Sequence, residues 1–546
     1  MDAGRERASR PAPTCRNPDS QPRISLSPAP RAKIAQHCDN SEGDNEKTPS
    51  RALARFVARN APVFVYDACA QLGRHSGGNS KPMLNSGSGS GDSVRGAAAP
   101  PERLTAVVVL SGFVAGLGGL LFGFDTAVIA GTTRALTNVF SLTPDTLGIT
   151  VSSALVGTIV GSIFAGYSAD RWGRRDSLRV MAALYLISAV GCAIAWDWPS
   201  LLFFRVLCGV GIGGSSVLGP MYIAEISPAA WRGRLVGIFQ VVLVIGILAA
   251  YLSNYLISLH GFGPLEWRIQ LGVAAVPSLI FFLLLFGIPR SPRWLVMMGK
   301  TEEASRVLSK IGEMDVEREL GEIARTVAAG REDARNSPRL FTREHRFPIF
   351  LAMSVAALSQ FSGINAVLYY LNDIFVEAGF NTTSAGLQAV IIGLTNFIFT
   401  IIAMALIDKV GRKALLLIGA VGLTGTLVGI AFVFATQRHK DYLLWLLIGY
   451  IGSFAFSLGA VTWVYISEVF PNAVRAKGQS LGTLTHWVVN ATISGIYPHL
   501  AARSGAKPFV FFAVMMALLF FLVLTVYPET ANVTLENADS LKASAK

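Results

Sequence analysis

The chain has 546 residues, 52% of them hydrophobic and only 15% charged, with a mean hydropathy of +0.47. A soluble protein carries about 25% charged residues, so a soluble enzyme with an appended anchor is excluded in favour of a chain that crosses a membrane many times. The net charge of +12 does not mark a nucleic-acid binder. Many of the Lys and Arg lie in short loops between apolar runs, as in cytoplasmic loops of membrane proteins.

Residues 1–102 are rich in Ser, Pro, Arg, Gly and Asn and read as a disordered extension. A misassigned start is one alternative, with Met83 just before the first apolar run. A plastid transit peptide is another, with Glu42, Asp44 and Glu46 counting against it. Twelve apolar segments follow, at 104–130, 147–168, 178–196, 199–222, 234–257, 268–288, 348–371, 386–407, 414–435, 442–466, 478–498 and 508–527. Their lengths predict membrane helices, so the fold class is an all-α polytopic membrane protein. The even count and the basic loops place both termini in the cytoplasm. Residues 289–346, with EEASRVLSKIG and a second mixed-charge stretch, predict short amphipathic linker helices. They divide a six-helix half at 103–288 from another at 347–528, before a tail at 529–546.

Gly209, Gly211, Gly213 and Gly214 cluster in the fourth segment and predict either close helix contact or a hinge. The five cysteines have neither metal-ligand nor disulfide-framework spacing, and Cys192 and Cys208 read as small buried thiols. No metal or cofactor is expected.

One charged signature occurs twice. GYSADRWGRR and YIAEISPAAWRG in the first half are matched by IDKVGRK and YISEVFPNAVRAKG in the second. Glu225, Pro228 and Arg232 share the spacing of Glu468, Pro471 and Arg475. Such duplication accompanies transporters built from two repeats that rock about a central site. Asp170, Arg171, Arg174, Arg175, Glu225 and Arg232, with Asp408, Arg412, Glu468 and Arg475, are therefore expected to form a cytoplasmic latch. Topological anchoring by basic loops is the plainer alternative.

Asp125 lies within the first apolar segment, where a carboxylate costs about 2.5–3.5 kcal/mol. Arg205, in the fourth, is its natural partner. Polar residues stranded in other segments are candidate sugar ligands or interhelical hydrogen bonds: Gln240, Gln360, Asn365, Asn396, His486 and Asn490, with Trp463 and Trp487 as aromatic faces.

The motifs GFDTAVIAG, SPRWL, QFSGINAVLYY, WVYISEVFPNAVR and PETANVTLE, together with the charged repeats, resemble the sugar porter family of the major facilitator superfamily over about 104–536. The pattern is closer to bacterial proton–xylose symporters than to animal glucose uniporters. The resemblance implies a monomeric carrier in a lipid bilayer that imports a pentose or hexose with protons. Asp125 and Arg205 would couple the proton, since the proton-coupled members carry Asp where the uniporters carry Asn. It also implies sugar-binding roles for Gln240, Gln360, Asn365, Asn396 and Trp463. A uniporter and a polyol or cyclitol carrier remain open. Departures from the family pattern are Ser359, His486 and Arg290, and Arg290 is expected to weaken one charge pair. HExxH, GxSxG, P-loop and metal-cluster motifs are missing from the chain, which argues against an enzyme.

Overall fold

The computed structural model describes residues 104–336, 339–471 and 474–530, without the side chains of 331–336 and 408. The expectations for residues 1–102 and the Asp408 side chain lie outside the described residues. Within them the chain is helical throughout and has no strand.

The first half contains α1 (Ala106–Val128), a short α2 (Thr133–Phe140), α3 (Pro144–Trp172), α4 (Arg174–Ile194), α5 (Trp198–Ile226), α6 (Arg232–His260) and a sixth span in two pieces, α7 (Glu266–Gly272) and α8 (Ala275–Leu284). The linker adds α9 (Pro292–Met297), α10 (Thr301–Ile311) and α11 (Val316–Asn336). The second half contains α12 (Arg346–Phe361), α13 (Ile364–Tyr369), α14 (Leu371–Glu377), α15 (Thr382–Val410), α16 (Arg412–Thr436), α17 (Leu443–Phe456), α18 (Leu458–Glu468), α19 (Arg475–Arg503) and α20 (Lys507–Thr525).

Eleven spans are both long and apolar enough to cross a membrane. The remaining one, α19, has 29 residues, about 43 Å at 1.5 Å each. It is the most polar because Thr485, His486, Asn490 and Ser494 interrupt its apolar surface.

The helices outrun the apolar stretches by a few residues because their ends are built from polar caps. Thr143 and Thr146 form a capping box with Pro144 at the start of α3, and Asp197 and Ser200 do the same for α5. The glycine cluster of α5 is a packing device. A Cβ on Gly209 or Gly213 would come within 1.9 Å of Ala154 O or 2.1 Å of Thr158 O on α3. On the opposite face, a Cβ on Gly214 would lie 2.2 Å from Met181 Sδ on α4. Close approach of backbones is how membrane helices gain contact energy.

The linker lies at one end of the bundle, and at the other, the far side, the two halves touch. There α3 meets α19 so closely that a Cβ on Gly148 would sit 1.9 Å from Gly495 O. Gly393 and Gly386 of α15 similarly seat against Tyr251 and Tyr255 of α6. Tyr251 then donates its hydroxyl to Leu368 O at 2.8 Å, tying α6 to α13.

Candidate functional site

The seventh span breaks between α12 and α13. Gly363 has φ +83, a left-handed conformation that side chains disfavour, and a Cβ there would lie 2.3 Å from the Phe512 ring. The break turns Gln360 and Asn365 toward each other, and Asn365 Nδ2 donates to Gln360 Oε1 at 2.8 Å. Gln360 Nε2 approaches His486 of α19, nearest at 3.1 Å from Nε2. The His486 ring lies 4.6 Å from Trp463 of α18 and 5.3 Å from Trp487. Trp487 also meets Phe122 of α1, with ring centroids 5.7 Å apart. Five predicted residues from three spans thus form one cluster. Trp463 is its least covered member, with 40% of its surface exposed.

One turn beyond Trp487, Asn490 accepts from Ser494 Oγ at 3.1 Å, while its own Nδ2 is buried without a hydrogen-bond partner among the described residues. Gln240 on α6 and Asn396 on α15 are not hydrogen-bonded to the cluster. Asn396 is buried and Gln240 half-buried.

Asp125 and Arg205 meet as their positions predict. Arg205 Nη1 donates to Asp125 Oδ1 at 2.7 Å, with side chains 3% and 15% exposed for the arginine and aspartate. Cys208, one turn along α5, directs its thiol to the same Oδ1 at 3.4 Å. Arg205 Nε is buried without a hydrogen-bond partner among the described residues. Tyr369, at the end of α13, interacts electrostatically with both charges and faces Asn490 and Thr126. Tyr369, itself part of the broken span, therefore brings that span beside the ion pair.

At the linker side the doubled signature builds the same contact set twice. Arg174 Nε lies 3.0 Å from Glu225 Oε1 and its Nη1 3.6 Å from Asp170 Oδ1. Ser291 donates to Glu225 Oε2 at 2.5 Å, and Tyr222 to Pro289 O at 2.7 Å. In the second half Arg412 Nη2 lies 3.1 Å from Glu468 Oε1. Thr530 donates to Glu468 Oε2 at 2.5 Å, and Tyr465 to Pro528 O at 3.2 Å. Each of these contacts stays within one half and the strap that follows it. Arg232 and Arg475 donate to backbone carbonyls, Ala224 O at 2.9 Å and Phe470 O at 3.2 Å. Arg175 binds Asp176 at 3.1 Å, and Arg171 is exposed.

A family model described as "Sugar (and other) transporter" matches residues 112–541. The chain belongs to that family. Among its relatives, the arabinose-proton symporter of Bacillus subtilis is 38% identical over 444 residues, covering 80% of this chain and 95% of that protein. The D-xylose-proton symporter of Escherichia coli is 36% identical over 466 residues, covering 78% and 94%. A structure of the E. coli xylose transporter XylE in an inward-open conformation matches with a TM-score of 0.71 and 34% identity, over 79% of this chain and 98% of that one.

Several contacts of this transporter-family chain escape a reading of its motifs. Ser291 and Thr530 as partners of the two glutamates were signalled only by the recurrence of Pro-x-Ser/Thr in PRSPRWL and PETANVT. Cys208, read as a plain buried thiol, touches the buried carboxylate. Arg290, expected to weaken a charge pair, instead takes two acids, Asp176 at 3.3 Å and Glu303 at 3.5 Å.

Proposed function

We propose that this protein is a secondary active transporter that carries a pentose or hexose into the cell together with protons, by alternating access. On this reading it is a monomeric, multi-pass protein of the plasma membrane with termini and linker in the cytoplasm. Crowding of Arg and Lys at the linker side supports that orientation.

The observation that carries the reading is the Asp125–Arg205 pair, with Tyr369 bridging it to the broken seventh span. A carboxylate this deep is stable while its guanidinium partner stays in contact. Protonation of Asp125 from the far side removes the counter-charge of Arg205, so the packing of α1 against α5 that suits the ion pair no longer suits the neutral acid. Tyr369 hands that change along α13 to Asn365, which bonds Gln360 of α12 across the break. Proton occupancy and the shape of the amide cluster are then coupled through one element with two arrangements.

Sugar recognition rests on neutral amides and an aromatic face. Gln240, Asn396 and the Nδ2 of Asn490 hold hydrogen-bonding capacity that the described residues leave unused, which suits hydroxyl ligands. Trp463 supplies the exposed ring. The paired signatures then act as the latch: Arg174, Glu225, Arg412 and Glu468 exchange partners within each half for partners across the halves when the far side opens. The relatives named as arabinose- and xylose-proton symporters support the same assignment.

The test is uptake into proteoliposomes over a panel of pentoses, hexoses and polyols, with and without an imposed proton gradient. Sugar accumulation that follows the gradient is expected. Gradient-insensitive uptake would make the protein a uniporter, and polyol-only uptake would move the substrate class.

A further inference from the structure

An ion pair and a histidine–carboxylate contact, ionic only when the histidine is protonated, join the halves on the far side. Arg134 Nε of α2 lies 2.9 Å from Asp373 Oδ1 of α14. Asp145 Oδ1, in the first turn of α3, lies 2.7 Å from His499 Nδ1 near the end of α19. Their polarity is crossed, because each half supplies one acid and one base. Between the pairs lies a cavity of about 210 Å³, lined by residues of both halves including Leu147, Asp373 and the stacked rings of Tyr370 and Tyr497. Pro144 and Pro498, which also line it, are the chain neighbours of Asp145 and His499. The two partly exposed contacts thus flank the cavity on the far side, where Tyr370, in its wall, also makes a buried bond to Ser494 O at 3.1 Å.

We propose that Arg134, Asp373, Asp145 and His499 are gating residues, an outer lock that is made while the far side is closed and broken in each cycle when it opens. The proposal rests on the alternating-access reading above. Each pair spans the boundary along which the halves must part, so its attraction is lost on opening and favours the closed arrangement alone. Both pairs are partly exposed, with side chains 48% and 25% exposed in the first and 38% and 69% for His499 and Asp145 in the second. A pair of this kind is worth about 1.4- to 5-fold in an equilibrium constant. The lock therefore biases the opening equilibrium without freezing it, as a gate that turns over repeatedly requires.

The experiment uses the full chain in liposomes, with Cys15, Cys38 and Cys69 replaced by serine and Leu147→Cys as a reporter in the cavity wall. The rate of alkylation by a membrane-impermeant maleimide reads far-side opening. Arg134→Asp and Asp373→Arg should each speed labelling about two- to fivefold, and the two together should return it close to the parent rate. Asp145→Lys with His499→Asp should behave likewise. In the parent, raising salt from roughly 0.05 to 1 M should also speed labelling, because exposed pairs are screened. That arm does not depend on a variant that fails to fold. Labelling indifferent to salt and to single reversals, or an exchanged pair as fast as its singles, overturns the lock. No sugar enters the assay, so loss of the lock leaves the uptake result standing, and a protein that carries no sugar can still show the lock.

Discussion

Arg290 Nε lies 3.3 Å from Asp176 Oδ2, and this contact is the charge-reversed counterpart of one in the second half. There the residue after the repeated proline is Glu529, which accepts from the backbone amides of Arg412 and Lys413 at 3.1 and 3.0 Å. In both copies the strap after the last span of a half is stapled to the start of the helix that follows the glycine turn. Gly173 and Gly411 make those turns with φ +86 and +91. The second copy uses an anion on helix amides, which the helix dipole favours. The first uses an acid within the helix and a base on the strap.

Restoring the family's glutamate should therefore harm this chain. Arg290→Glu brings a third carboxylate beside Asp176 and Glu303. At these partly exposed positions the loss should be about 0.5–1 kcal/mol. Thermal unfolding in detergent reads it, and Asp176→Ala in the same chain should recover most of the loss. An Arg290→Glu protein as stable as its parent would show that the contact carries no energy.

Gly363 is the hinge on which the amide cluster depends. Gly363→Ala must adopt a left-handed conformation, costing about 1–2 kcal/mol, and also displace the Phe512 ring. We expect lower thermal stability and a transport rate reduced at least tenfold. Phe512→Ala alongside it should relieve the clash but not the backbone, giving partial recovery of stability. Full recovery would mean that steric contact alone explains the glycine.

How much of this was legible in the chain depends on the range of the interaction. The spans were legible because a bilayer demands long apolar runs, and even α19 stood out despite its polar residues. Asp125 and Arg205 were legible as partners because a charge buried in an apolar span needs another one. The Gln360–His486 contact was not, since a lone amide in a span is equally well an interhelical bond until its neighbour is known. Arg134 and Asp373 carried no signal at all. They are ordinary charges on short helices between the spans, 239 residues apart, and only the closure of the two halves makes them a pair. Arg290 misled in the other direction, because a charge reversal at one residue reads as a loss until Asp176 is seen beside it.

Asn490 separates binding from folding. Its Nδ2 is buried and unpaired, a state that costs about 1–3 kcal/mol in the empty protein. Asn490→Ala removes that cost together with the Ser494 contact, so stability should stay within about 1 kcal/mol of the parent. The apparent KM for sugar should rise about 2- to 13-fold, the value of one hydrogen bond. Uptake kinetics beside thermal unfolding decide it. Lower stability with unchanged KM would make Asn490 a packing residue.

Asp125 carries the strongest prediction. Asp125→Asn keeps a group that can accept from Arg205 but cannot exchange a proton, so proton-driven accumulation should be lost while sugar counterflow persists at a comparable rate. Asp125→Leu differs in kind, because it leaves the buried Arg205 with neither a counter-charge nor a hydrogen-bond acceptor at that position. That should cost about 3–5 kcal/mol and show as poor thermal stability or failure to accumulate in the membrane. Arg205→Gln in the Asp125→Leu chain should recover stability but not coupling. The two readouts therefore split the pair's structural work from its proton work. If Asp125→Asn still concentrates sugar on an imposed proton gradient, the coupling site lies elsewhere.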